Sequence, residues 1–509
     1  MKKIAHLLMG RLTIVGVSIL LQICWLFLVL WKFSYQFTYA NLIIRAAAIV
    51  LVLVIANKWE NPANKLSWTF LILLSPILGI MLYFLFGRSG LTKHTREQMD
   101  AVNREVDACM PVDEEAVRLL QEADPSVLRQ SKYIADWGHF PVYRNTATKY
   151  YESGEAMFPD MLAALESAKH FIFLEYFIIE PGEMWQSIVD ILAQKVREGL
   201  DVRVMYDDLG SISTFNFSNA LALEKLGIRC VTFNPLLALK GTANYRDHRK
   251  MLIVDDAVAY SGGVNLADRY INREHPYGHW KDTGFRLTGA PVRSFTHMFL
   301  TFWNAFSLQK EEPMPMPPAA AAAEPAAQDG WGLSYYDSPL NSEATSNRLY
   351  IDLLSQATDY AWFFTPYLML GDDLLDAMLA AAQRGVDVRI IMPGIPDKKL
   401  IFRMSRSFYQ VLLTGGVKIY EYTPGFVHAK SLVCDDRAAT VGTVNLDYRS
   451  LFLHFENNSL FYRGSIVARV KEDFLATQSQ CRAVEACDMK RYSRRWIVDG
   501  VLRIFAPLC

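Results

Sequence analysis

The chain has 509 residues, of which 51% are apolar, which is more than one ordinary domain requires and enough for two or more folded units. Lys and Arg number 52 against 53 Asp and Glu, so there is no whole-chain basic field of the kind that gathers DNA or RNA, and no nucleic-acid partner is expected. Seven scattered cysteines, none in a C-x-x-C pair, suggest neither a disulfide framework nor a zinc site.

Residues 1–90 read as a membrane anchor with about three transmembrane helices. Leu12 to Trp31 is a charge-free run long enough to cross a bilayer core of ~30 Å. Tyr39 to Ala56 is a second candidate, with Arg45 near one end where it can snorkel. Leu66 to Phe86 is the third, carrying Trp68 and Tyr83 as interfacial anchors and Ser75-Pro76 as a breaker that membrane helices tolerate. Basic residues flank these spans evenly, so the positive-inside rule gives a tie, and the reduced character of the cysteines tips the expectation towards a cytoplasmic catalytic region.

A polar helical connector is expected over 91–135. From 136 to 310 short β-rich runs alternate with amphipathic segments, the pattern of an α/β fold. Phe171 to Phe177 reads as a strand, Trp185 to Glu198 as a helix and Asp201 to Tyr206 as the next strand. Gly199-Leu200-Asp201-Val202-Arg203 recurs as Gly385-Val386-Asp387-Val388-Arg389, 186 residues later, and Gly227-Ile228-Arg229 as Gly416-Val417-Lys418, 189 residues later. A near-constant offset implies duplicated halves, the second over 331–509. Between them the Pro/Ala-rich stretch 311–330 reads as an exposed linker. Lys490 to Trp496 and the apolar run after it suggest an interfacial helix drawn to anionic lipid.

One eighteen-residue pattern occurs in both halves with every spacing kept. His248, Lys250, Asp255, Gly263 and Asn265 are matched by His428, Lys430, Asp435, Thr443 and Asn445. His and Lys are two apart in a β-type run, so both project from one strand face. Asp255 and Asp435 end those strands and read as structural supports. The Gly-containing turn then returns Asn265 and Asn445 towards the His-Lys pair. Attack on an anionic phosphodiester needs cations and hydrogen-bond donors for the phosphoryl oxygens, which two lysines and two asparagines supply. It also needs a nucleophile and a proton donor for the leaving alcohol; two imidazoles can divide those roles near neutral pH. Lysine is not a usual zinc ligand and no His/Cys/carboxylate cluster accompanies the motifs, so neither a metal nor another cofactor is expected.

These motifs resemble those of the phospholipase D superfamily. With its amino-terminal spans, and with Asn64-Lys65-Leu66-Ser67-Trp68, Tyr83-Phe84-Leu85-Phe86-Gly87, His279-Trp280-Lys281-Asp282 and Phe455-Glu456-Asn457-Asn458, the chain is similar to bacterial cardiolipin synthases. The resemblance implies two α/β/α halves forming one pseudo-twofold catalytic unit without metal, in the bacterial inner membrane. It further implies that His248 attacks one phosphatidylglycerol while His428 protonates the departing glycerol and then activates a second phosphatidylglycerol, giving cardiolipin. Lys250, Lys430, Asn265 and Asn445 would hold phosphoryl oxygens, with backbone N–H at Gly263 contributing where Gly263 and Thr443 replace a commoner serine. Asp282 would orient His248 and Glu456 would orient His428. Rival readings use water as acceptor (a hydrolase or tethered nuclease), use another headgroup alcohol such as ethanolamine or serine, or make the chain a silent membrane scaffold. Glycerol release accompanied by cardiolipin or by phosphatidic acid separates the first from the expectation.

Overall fold

The β-rich runs are apolar on both faces, so each sheet must be covered on two sides, and in both halves helices and the other half supply the cover. The computed structural model describes residues 22, 24–25, 28, 32, 38–58, 61–87, 96–97, 99–101, 110, 112–138, 140–144, 146–235, 244–307, 329–340, 343–485 and 496–508. Most of the expected span Leu12 to Trp31, most of the linker and the segment Lys490 to Arg495 lie outside these residues.

The first half contributes β1 (Thr146–Tyr151), β2 (Phe171–Tyr176), β3 (Asp201–Asp207), β4 (Arg229–Phe233), β5 (Lys250–Val254), β6 (Val258–Gly262), β7 (His279–Lys281) and β8 (Gly284–Gly289). Seven of these form a sheet in the order β1-β8-β6-β5-β2-β3-β4. The second half contributes β9 (Trp331–Asp337), β10 (Tyr360–Phe364), β11 (Asp387–Pro393), β12 (Lys418–Tyr422), β13 (Gly425–Val427), β14 (Ser431–Cys434), β15 (Ala438–Gly442), β16 (Glu456–Tyr462) and β17 (Cys481–Ala483). Its sheet runs β9-β16-β15-β14-β10-β11-β12-β17. Strand for strand the two orders match, with β17 added at one edge, so the duplication legible in the sequence is a duplication of topology.

The recurrent Gly-x-Asp-Val-Arg element has a local cause. Gly199 and Gly385 sit at φ of +93° and +96°, the left-handed stop after the helices Glu183–Arg197 and Asp372–Gln383. The chain then enters β3 or β11, where Arg203 pairs with Asp201 and Arg389 with Asp387. The helix Glu183–Arg197 buries Met184, Ile188 and Leu192, spaced four apart, against the sheet.

One helix, Val292–Phe306, is buried on nearly all sides and lies between the halves. Phe299 stacks on Phe173 of β2 with centroids 4.5 Å apart, and Phe302 meets Phe455, just before β16, edge-on at 4.8 Å. Phe285 of β8 and Phe461 of β16 touch directly at 5.2 Å. These aromatic contacts make the two sheets one core.

In the anchor, Tyr39–Ala56 lies in a helix whose Leu42, Ile43, Val50 and Leu53 face outward; among the described residues it is the helix long and apolar enough to cross a membrane. The single span expected over Leu66 to Phe86 is instead two helices, Pro62–Leu74 and Pro76–Phe86, of 13 and 11 residues, each shorter than the ~20 a crossing needs. Ser75 leaves helical geometry, Pro76 restarts it, and Gly79 packs so closely on Ile72 that a Cβ there would lie 2.5 Å from the Ile72 Cα. Trp68 and Tyr83 close the pair edge-on at 5.3 Å. The carboxy-terminal helix Trp496–Phe505 joins this unit. Ser67 Oγ donates to the Ile504 carbonyl (2.5 Å), Phe505 meets Phe70 at 5.9 Å, and Asp499 accepts from Arg403 of the second half at 2.8 Å.

Candidate active site

Two short strips of backbone cross the seam between the halves. β7 and β13 pair in parallel, His279 opposite Gly425 and Lys281 opposite Val427. In the matching strip, Tyr245 N–H donates to the Leu453 carbonyl (2.7 Å) and Phe455 N–H to the Arg246 carbonyl (2.9 Å). Each strip runs into a histidine on one strand and a carboxylate on the other. His428 follows Val427 and Asp282 follows Lys281; His248 follows Asp247 and Glu456 follows Phe455.

The acid-histidine pairs are therefore crossed. Asp282 lies 2.7 Å from His428 Nδ1, and Glu456 lies 2.8 Å from His248 Nδ1. This corrects the expected partners, Asp282 for His248 and Glu456 for His428. Parallel pairing across the seam puts the carboxylate of one half beside the imidazole of the other, and no single half contains a complete site.

The lysines are anchored by their own motifs. Lys250 Nζ donates to the His248 carbonyl at 2.5 Å, Lys430 Nζ donates to the His428 carbonyl, and Lys430 Nζ lies 2.7 Å from His428 Nδ1. Burial pushes Lys250 down to about 8 and Lys430 down to about 7, with Asp282 and Glu456 pulling the other way. Burial and then the two lysine charges hold His248 well below the usual imidazole range, so it rests neutral. Burial and Lys430 bring His428 to about 3, against the pull of Asp282. The two acids differ. Burial pushes Asp282 up, but His428, Lys430 and the Thr283 N–H outweigh it and hold Asp282 below the ordinary carboxylate range; at Glu456 burial prevails and the carboxyl is raised.

Other motif residues brace this arrangement. Asn265 Oδ1 accepts from Ile178 N–H (3.0 Å) and its amide donates to the Tyr270 hydroxyl (2.8 Å); the amide of Asn445 supports Asp447. Gly263 N–H, expected to face phosphate, donates instead to the Thr283 carbonyl at 2.9 Å, which corrects that expectation. What Gly263 provides is space, since a Cβ there would collide with the Asp282 carboxylate. At the matching position the Thr443 hydroxyl donates to Glu456.

Asp255 and Asp435, grouped with the catalytic residues by motif, stand at the far ends of β5 and β14. Both occupy the left-handed region, φ +56° and +51°, as the tight turns to β6 and β15 require. Asp255 accepts the N–H groups of Lys169, His170 and Phe171, and Asp435 those of Thr358, Asp359 and Tyr360. They fix the starts of β2 and β10 and do not touch the histidines.

Aromatic and polar side chains wall the site. Phe177 lies edge-on to His248 at 4.8 Å, Tyr270 and Trp280 meet His428 at 5.4 and 5.3 Å, and His454 stands 6.3 Å from His248. Asn457 joins the halves, its Nδ2 donating to Ser261 Oγ (2.7 Å) and its Oδ1 accepting from Lys250 N–H (3.4 Å). Repetition could not reveal the roles of Tyr270, Trp280, His454 and Asn457, because their contacts cross from one half to the other. Among the described residues no group of three or more His, Cys, Asp or Glu is placed to hold a metal ion.

The family described as "Cardiolipin synthase, PLD-like domain" matches residues 161–279 and 350–477, one stretch per half, and "Phospholipase_D-nuclease N-terminal" matches 46–88. An uncharacterised protein of Streptococcus mutans is 41% identical over 462 residues, covering 90% of this chain and 99% of its own length. A cardiolipin synthase of Geobacillus kaustophilus is 32% identical over 481 residues, covering 92% and 93%. Among solved structures, phosphatidylserine synthase of Haemophilus influenzae superposes with a TM-score of 0.54 at 15% identity, covering 74% of this chain and 99% of that one, which shows a shared fold. Taken with two complete motifs meeting at one seam and an apolar amino-terminal helix, these likenesses make the chain a membrane-associated member of the cardiolipin synthase family within the phospholipase D superfamily.

Proposed function

We propose that the crossed histidines transfer a phosphatidyl group from one phosphatidylglycerol to another, giving cardiolipin and glycerol. His248 Nε2 attacks phosphorus, the bond to the headgroup glycerol oxygen breaks, and His428 supplies that oxygen with a proton. The primary hydroxyl of a second phosphatidylglycerol then yields its proton to His428 and attacks the same phosphorus, which breaks the phosphorus–nitrogen bond and restores His248.

The crossed contacts carry this reading. Each imidazole has its Nδ1 engaged by a carboxylate, which leaves Nε2 for chemistry. The division of roles is supported by the charges: Asp282, held ionised, favours a proton on His428, while His248 rests neutral with a lone pair for attack. The arriving phosphodiester adds negative charge beside the lysines, which favours their charged forms and a proton on His428. Lys250 and Lys430 hold the phosphoryl oxygens, aided by Asn265 and Asn445. The aromatic walls limit water at the second step, which favours an alcohol acceptor.

The enzyme acts in the bacterial inner membrane as a multi-pass protein, with its catalytic region on the cytoplasmic side and anionic lipid as its surroundings. The test is to incubate purified full-length protein with glycerol-labelled phosphatidylglycerol. Equal release of labelled glycerol and formation of cardiolipin is expected; His248→Ala loses both. Glycerol release accompanied by phosphatidic acid instead makes the protein a hydrolase.

A further inference from the structure

A cavity of about 540 Å³ lies between the anchor and the second half, and the transfer steps above make no use of it. Its size falls in the ~300–1,000 Å³ range of small-molecule sites. Lys58 and Asn64 of the anchor and Arg96 of the connector line one side, Asp337 at the end of β9 and Glu343 line the facing side, and Tyr245 and His454 line the part nearest the catalytic seam.

Three observations connect it with substrate. The His454 ring is 6.3 Å from that of His248, so the cavity and the reacting imidazole share a wall. Tyr245, three residues before His248, holds a φ of +60°, a conformation that an aromatic residue keeps only where its surroundings enforce it. On the outside of the same helices Leu66, Leu73, Leu74, Phe84 and Leu85 are exposed, an apolar surface suited to acyl chains. The lining itself is not apolar. Two cations suit a phosphate, while amide and carboxylate groups suit the hydroxyls of a headgroup alcohol. His454 adds an acceptor: its Nδ1 lies 3.0 Å from the Leu453 carbonyl, so Nδ1 carries the proton and Nε2 is left to receive a hydroxyl.

We propose that this cavity is the port through which a bilayer phospholipid reaches His248, with its phosphate against Lys58 and Arg96, its headgroup alcohol towards Asn64, Asp337 and His454, and its acyl chains on the outer face of the anchor. The proposal rests on phosphatidyl transfer as the reaction and adds the route by which its lipid arrives.

The test uses full-length protein in phosphatidylcholine vesicles, with either long-chain phosphatidylglycerol in the bilayer or monomeric dihexanoyl phosphatidylglycerol in the water. Asn64→Trp fills the port and Lys58→Gln removes one of its cations. A monomer in water can reach the seam without crossing the port, so each variant should lose ~10-fold or more in kcat/KM on the bilayer substrate while turning over the monomeric one within about twofold of wild type. Monomeric turnover also reports that the variant is folded. Equal losses on both substrates would make the cavity wall a structural element, and no loss on either would make the cavity idle; both overturn the port. A wild-type protein that makes cardiolipin from neither substrate would overturn the transfer reaction itself, a different result.

Discussion

Around His248 the first half buries charges: Arg249 pairs with Glu175 and with Asp247 (3.2 Å), and Arg246 with Asp207 (2.9 Å), all of them inaccessible to water. Around His428 the positions matching Arg246, Asp247 and Arg249 are Phe426, Val427 and Ala429, and the ring of Phe426 packs 4.8 Å from Trp280. Identical motif spacing is thus held by an ion network in one half and by apolar packing in the other. A buried network stabilises only while every member has its partner, whereas an apolar bed degrades gradually as it loses volume. Duplication preserved the reacting groups and the strand order, and the supports beneath them diverged.

The largest expected effect comes from breaking the crossed pairs. Asp282→Asn and Glu456→Gln should each lower kcat by ~10²–10⁴-fold, the range for losing the group that orients a reacting imidazole. Their signatures differ. With ¹⁵N-labelled histidine, Asp282→Asn shifts the ring signals of His428 and leaves those of His248, and Glu456→Gln does the reverse; the opposite assignment would return the pairs to within each half.

The supports come next. Arg249→Ala should cost ~3–5 kcal/mol, because Glu175 and Asp247 are left buried without a cation, and Glu175→Gln in the same chain should recover part of that loss. Phe426→Leu, in the apolar bed, should cost no more than ~1.5 kcal/mol. Thermal unfolding in detergent compares the two, and equal costs would remove the distinction between the halves.

A smaller effect is set by pH. Lys430 and Lys250 are depressed to about 7 and about 8 in the empty site, so their charged forms are lost as pH rises through that window. Because kcat/KM reports the free enzyme, it should fall by ~10-fold per pH unit within that window and more steeply above it, where both lysines are neutral, well before an ordinary lysine titrates. A flat profile to pH 10 would mean that the lysines keep their charge. The smallest effect on catalysis is expected at Asp255: Asp255→Ala should leave kcat unchanged while costing ~1–3 kcal/mol of stability, since its carboxylate serves three backbone N–H groups at the start of β2.

The histidines, the lysines and the duplication were legible because periodicity within a strand and repetition along the chain are properties of sequence. Phe171–Tyr176 and Asp201–Asp207 were readable as strands for the same reason, their apolar and β-branched runs being bounded by turn signals. The two acids were legible but which histidine each serves was not, because Asp282 meets His428 through a parallel pairing of three-residue strands from different halves, and nothing local encodes which half a short strand will join. Gly263 misled for a related reason: its lack of a side chain reads as backbone exposed to ligand, whereas its use is to admit a carboxylate distant in sequence. In the anchor, hydropathy measured a run from Leu66 to Phe86 but could not register that Ser75, Pro76 and Gly79 fold it back on itself.

The central claim is that one site, built from both halves, passes a phosphatidyl group through His248. It is tested most directly by quenching the full-length enzyme with alkaline denaturant during turnover of phosphatidylglycerol and mapping the adduct by mass spectrometry. A phosphatidyl group on His248, absent in His248→Ala, is the predicted result; an adduct on His428, or cardiolipin made with no adduct on either histidine, would contradict it.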